Sequence, residues 1–165
     1  EWDAPAPYAQ ETSLAASLLT PTRIYVKPVL AAMRATGGSG PEGAIKALAH
    51  ITGGGLSENV PRILSDQIGA EIDLNAWIPP AVFGWLKTAG HLDDAEMLRT
   101  FNCGIGLVIV AARDRAGTVL KELREAGEVP MIIGRIAPAR GVLSDAKGKG
   151  QAEAVHYVGQ LRYPS

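Results

Sequence analysis

Apolar and polar positions along this chain follow two periods. Ala44 to Ile51 is a short, nearly continuous apolar run, Ile68 to Leu74 alternates residue by residue, and Gly104 to Val110 is the clearest strand pattern. Elsewhere the apolar spacing lengthens to three and four. Val82, Trp85, Leu86 and Ala89 mark one helical face, and Ala116, Val119, Leu120 and Leu123 mark another. Further helices are predicted over Leu14 to Leu19, from Pro28 to about Thr36, over Ser57 to Leu64 and over Asp93 to Phe101. Thr22 to Lys27 and Met131 to Ile136 read as extended, and Ala154 to Val158 as an edge strand.

Punctuation residues divide these elements. Pro5 and Pro7 push their predecessors toward extended backbone, which predicts an irregular Pro/Ala-rich stretch over residues 1–12. Gly37, Gly38 and Gly40 end one helix and Gly127 another, while Ser57 and Asp114 are the expected N-caps of theirs. Leu143 to Gln151 reads as a loop or mobile hairpin. The alternation of strands and helices gives two β-α-β units. The expected fold class is α+β, two layers, with a ferredoxin-like split β-α-β sheet of about four main strands and helices on one face. Residues 1–20 are expected to be a linker and N-terminal extension, and 21–165 one domain.

Composition narrows the function classes. With 47% hydrophobic and 20% charged residues the chain is a globular domain able to bury a core. A formal net charge of -1 without a Lys/Arg block offers no footprint for nucleic acid or an anionic membrane. The longest apolar run, Cys103 to Ala112, is about half of the ~20 residues that cross a bilayer. Cys103 stands alone, so no intrachain disulfide forms, and His50, His91 and His156 are too scattered for zinc spacing. A cytoplasmic setting and no metal site are expected. The opening EWDAPAPYAQ, with Glu rather than Met first, reads as an interdomain linker, which leads us to expect a piece of a longer protein.

The stretch HITGGGLSENVP, His50 to Pro61, is the candidate site. Three glycines between a strand and a helix let backbone amides approach an anion, and the first-turn amides of a helix have no internal partners. Pro61, in the fourth helical position of a helix capped by Ser57, would break no helical bond. The same glycines also suit a tight turn with close packing and no ligand. Glu58 stands where a dinucleotide fingerprint has its third glycine, and no P-loop Gly-Lys-Ser/Thr occurs. Arg62, four residues after Glu58, is expected to pair with it on the helix surface. In FNCGIG, Asn102 reads as a helix-end residue, Gly104 and Gly106 as points where another backbone comes close, and Cys103 as packing rather than a nucleophile.

Three segments carry a resemblance. LLTPTRIYVKPVL (Leu18 to Leu30), ALAHITGGGLSENVPRIL (Ala47 to Leu64) and EMLRTFNCGIGLVIV (Glu96 to Val110), in that order, resemble the C-terminal half of the phosphoribosylformylglycinamidine cyclo-ligase (AIR synthetase) family. The resemblance implies an ATP-dependent enzyme of de novo purine synthesis, with magnesium as cofactor. It closes the imidazole ring of formylglycinamidine ribonucleotide. It also implies an N-terminal domain that dimerises and holds most of the ATP site. That domain's Asp-Gly…Gly-Thr-Lys segment has no match in this chain, so the chain is expected not to catalyse alone.

The resemblance favours the phosphate reading of the loop. Thr52, Gly53, Gly54 and Gly55 are then the expected phosphate ligands, with Asn59 as a neighbouring donor. His50 contacts substrate or shuttles a proton, or else is a core histidine satisfied by a carbonyl. Two other classes stand beside the enzyme: a free-standing module that binds a phosphorylated metabolite, and a purely structural partner of the N-terminal domain.

Overall fold

The structure is a computed structural model that describes residues 1–38, 42–139 and 154–164. Gly40 and the predicted loop over Leu143 to Gln151 lie outside the described residues. In chain order the elements are β1 (Pro5–Ala6), β2 (Ala9–Ser13), α1 (Leu14–Leu18), α2 (Val26–Ala35), β3 (Ile45–His50) and α3 (Gly55–Asn59). After them come β4 (Ile68–Asp73), α4 (Ala81–Ala89), α5 (Asp94–Thr100), β5 (Leu107–Ala111), α6 (Ala116–Glu125), β6 (Gly134–Pro138) and β7 (Val155–Val158). The class is α+β, in agreement with the sequence pattern. Among the described residues no helix is long and apolar enough to cross a membrane.

The longer strands divide between two ladders. β3 pairs antiparallel with β5, setting Leu48 opposite Ile109, Ala49 opposite Val108 and His50 opposite Leu107. β4 is central in the other, antiparallel to β6 and parallel to β7. The two β-α-β units of the sequence pattern therefore exchange strands: β3 and β4 follow one another in the chain but join different ladders.

Each face of the β3–β5 ladder covers a different core. Ala49 and partner Val108 pack into the larger cluster with Leu56 and Val60 of the α3 segment, Met97 and Leu98 of α5, Trp77, and Ile72 of β4. Ile45, Ile109 and Ala111 face a smaller cluster with Ala32 of α2 and Val119 and Leu123 of α6. The register shifts between Ile45 and Ala47, and this irregularity puts Ile45 and Leu48, three residues apart, on the same side.

Several element ends differ from the pattern. Residues 1–12 contain the β1–β2 ladder, because Ala6 is fully buried and gives the segment a packing partner that propensity alone does not supply. The Ser13 hydroxyl accepts from the Ala16 amide and starts α1. The Pro28 helix begins earlier, at Val26, which leaves Pro28 in its first turn. Asp114 is not an N-cap: it sits within a 3-10 turn over Arg113–Arg115, and α6 starts after Arg115 without a side-chain cap. β5 starts at Leu107 rather than Gly104, since Cys103 (φ 48) and Gly104 (φ 93) form a turn in which the Gly104 amide donates to Asn102 Oδ1. β6 covers Gly134–Pro138, displaced from the apolar run at Met131, because β4 sets its register. Asp93, at the predicted start of its helix, caps α5 by accepting from the Glu96 amide, and Gly127 in the left-handed region follows α6.

Met97 is fully buried between α3 and α5, whereas Val129 is 84% exposed. Met97→Ala is expected to cost about 2–5 kcal/mol in urea unfolding, and Val129→Ala to stay within about 0.5 kcal/mol.

Candidate functional site

The glycine loop joins the C-terminal end of β3 to α3, and its three glycines have three different environments. Gly53 is exposed, and a β-carbon there would meet no atom within 4 Å. Gly54 has φ 93 and lies under the Glu58 side chain, whose Oε2 would come within 2.5 Å of a β-carbon. Gly55 is buried with φ 56, and its β-carbon would lie 2.1 Å from the Leu98 carbonyl oxygen and 2.6 Å from that of Phe101. No side chain fits between α3 and the end of α5.

The amides divide the same way. Gly55 N–H donates to the Thr52 carbonyl at 3.1 Å and closes the turn, which removes it from the set that could bind an anion. The amides of Gly53 and Gly54 donate to no protein acceptor among the described residues. Asn59 is buried and faces inward: its Nδ2 donates to the carbonyls of Gly55 at 2.8 Å and Gly53 at 3.2 Å. The Thr52 hydroxyl donates to Asn59 Oδ1 at 3.4 Å. Asn59 thus braces the turn from behind. Of the six sequence-predicted residues, Thr52, Gly53 and Gly54 present the outer side, Gly55 and Asn59 shape the inner side, and His50 stands on the strand leading in.

Ser57 is not the N-cap. The helix runs from Gly55 with Gly54 as its N-cap, because the first helical hydrogen bond joins the Glu58 amide to the Gly54 carbonyl at 3.0 Å. The Ser57 hydroxyl lies 3.4 Å from the Leu98 carbonyl and 2.9 Å from Tyr157 Oη, and so links α3 to α5 and β7. Burial pushes the Tyr157 phenol up to about 12, which keeps it protonated. α3 stops at Asn59, and Pro61 opens a separate 3-10 turn over Pro61–Ile63 rather than holding a fourth helical position. Arg62 therefore leaves the face of Glu58, and no ion pair joins them among the described residues. The exposed Glu58 carboxylate instead turns back over Gly54.

His50 is exposed, which excludes the core-histidine reading. It lines an open apolar groove of about 520 Å³ with Leu48 and Leu107 of the ladder and Ile24, Tyr25 and Leu30 from the α2 side. The groove exists because cross-strand partners share a face: Leu48, His50 and Leu107 extend the side of the ladder that α2 and α6 cover only near Ile45. Tyr25 was not legible as a site residue, since its position follows from packing between distant segments. Cys103 is buried, its thiol pushed up to about 11 by burial, and its Sγ donates to the Met97 carbonyl, in keeping with packing. Gly104 and Gly106 each make room for a side chain, Pro80 and Tyr25 respectively, rather than for another strand. Trp77 is likewise core, its Nε1 donating to the Cys103 carbonyl at 2.9 Å, whereas Trp85 is half-buried against the Tyr8 ring.

The loop's two halves predict opposite responses. Gly55→Ala is expected to lose about 2–5 kcal/mol in urea unfolding, from the left-handed backbone and the overlap with α5 together. Gly53→Ala is expected to remain within about 0.5 kcal/mol.

The inward bracing of this turn, the α3–α5 contact and the ladder end beside it involve the second and third of the segments whose resemblance was noted in the sequence, and Tyr25 of the first segment lines the groove next to His50. Residues 2–145 match the family described as AIR synthase related protein, C-terminal domain, and this span contains each of those segments. That superfamily includes several ATP-dependent enzymes. The chain belongs to the AIR synthase related protein C-terminal domain family.

Proposed function

We propose that this chain is the substrate-side domain of an ATP-dependent phosphoribosylformylglycinamidine cyclo-ligase, and that its Thr52–Gly54 turn receives the 5-phosphate of formylglycinamidine ribonucleotide. The observation that carries the reading is the pair of amides on Gly53 and Gly54, without protein acceptors among the described residues and close in the chain to the exposed His50. Two adjacent N–H groups on a braced turn suit a phosphate oxygen pair, because their dipoles are oriented before the ligand arrives.

Each residue then has a distinct task. Gly53 and Gly54 donate to the phosphate, and Thr52, Gly55 and Asn59 hold the turn in shape. His50 meets the substrate at the groove and moves a proton. ATP supplies the activation of the formyl oxygen, which lets the amidine nitrogen close the ring with release of ADP and phosphate. The described residues hold no group of three His, Cys, Asp or Glu side chains able to bind an ion, so in this reading magnesium would be held mainly by the ATP-binding domain. No Asp-Gly…Gly-Thr-Lys segment occurs in the sequence, and an ATP-binding domain is required as a partner in this reading.

One observation favours a second reading. The Gly55 amide and the Asn59 side chain are both engaged inside the loop, as they would be in a structural module or in one that merely senses a phosphorylated metabolite.

Titration of the chain with ribose 5-phosphate separates these readings. The cyclo-ligase and metabolite-binding readings expect saturable heat, lost in Gly53→Pro, which removes one donor. Glu58→Gln removes a like charge beside the anion, worth about 1 kcal/mol near 4 Å in water, and is expected to tighten binding roughly fivefold. An absence of heat, or indifference to both substitutions, favours the structural module. Adding an ATP-binding domain of the cyclo-ligase family tests the enzyme itself: substrate-dependent ATP hydrolysis is expected to appear, and to fall about 10²-fold or more in His50→Gln. Heat without turnover favours the metabolite-binding module.

A further inference from the structure

The three segments set apart in the sequence converge on one contact. Tyr25, from PTRIY, immediately precedes α2 and is half-buried; its ring meets the His50 ring edge to face, with centroids 6.3 Å apart and planes at 70°. Its hydroxyl rests on Gly106, from NCGIG, where a β-carbon would lie 2.1 Å from Oη and 3.0 Å from Cζ. Gly106 does not have the positive φ that would itself call for glycine. Its carbonyl accepts from the Ile51 amide at 3.0 Å, extending the β3–β5 ladder past the His50–Leu107 pair. With no left-handed backbone to call for glycine, the missing β-carbon makes room for Tyr25, whose atoms are the nearest that one would meet.

We infer that Tyr25 is a positioning residue for His50, and that Gly106 is the slot that lets its ring reach across the end of the ladder. Without that ring the imidazole of His50 is free to sample rotamers over an open groove lined by aliphatic side chains. With it, an edge-to-face contact holds the imidazole at the groove wall, beside the glycine turn. The inference rests on the reading of His50 as a group that meets the ligand. Its test uses no ligand, so the two can fail separately.

The experiment follows imidazole proton resonances in the full chain, with His50→Gln identifying the His50 signal and His91 and His156 serving as internal references. Tyr25→Leu is expected to move the His50 resonances toward those of a histidine without an aromatic neighbour, and to change its rate of modification by diethyl pyrocarbonate. Tyr25→Phe keeps the ring and is expected to preserve both. Gly106→Ala displaces the ring and is expected to resemble Tyr25→Leu. The double variant Gly106→Ala/Tyr25→Phe removes the worst overlap and is expected to move the signal back. If Gly106→Ala does not fold, the contrast between Leu and Phe at Tyr25 decides the matter. Identical His50 signals and modification rates in Tyr25→Leu and the unaltered chain would overturn the inference, as would a double variant that folds and leaves the signal as displaced as Gly106→Ala does.

Discussion

The contact on which the site depends is the approach of Gly55 to the end of α5. Backbone meets backbone there, with the carbonyl oxygens of Leu98 and Phe101 occupying the space any side chain at Gly55 would need. A helix of five residues is too short to persist by propensity. α3 is held by this contact, by burial of Leu56 and Val60 in the main core, and by the Ser57 hydroxyl between Leu98 and Tyr157. Its orientation in turn fixes the turn in front of it.

From that anchor the loop acquires two sides with different chemistry. The inner side is closed, because the Gly55 amide and Asn59 satisfy the carbonyls that the turn directs inward, which an interior requires of its polar groups. The outer side is open, with two amides that no protein group claims among the described residues. The Glu58 carboxylate beside Gly54 tunes this side electrostatically, since any anion at the turn must approach a like charge.

His50 and the turn occupy one end of a ladder whose two faces serve different cores. The register irregularity at Lys46 matters for this, because it turns Ile45 and Leu48 to the same side and leaves an apolar groove where the helical cover ends. Tyr25 lines that groove against His50, its hydroxyl filling the space left by a glycine eighty-one positions later in the chain.

Much of this was legible in the residues. Periodicity located the helices with faces of Val82 to Ala89 and Ala116 to Leu123, the strands through Leu48 and Ile72, and the α+β class, since these follow from local backbone chemistry and a two-sided surface. The glycine triplet marked the loop, because glycine adopts the left-handed dihedrals found at Gly54 and Gly55 at little steric cost. Tertiary structure decided the rest. It assigned the three glycines to solvent, to Glu58 and to α5, turned Asn59 inward, moved the helix start away from Ser57, divided the strands between ladders, and brought Tyr25 and Gly106 to His50. Each of these depends on which distant surface fills the space beside a residue, and local dihedral preference carries no information about that.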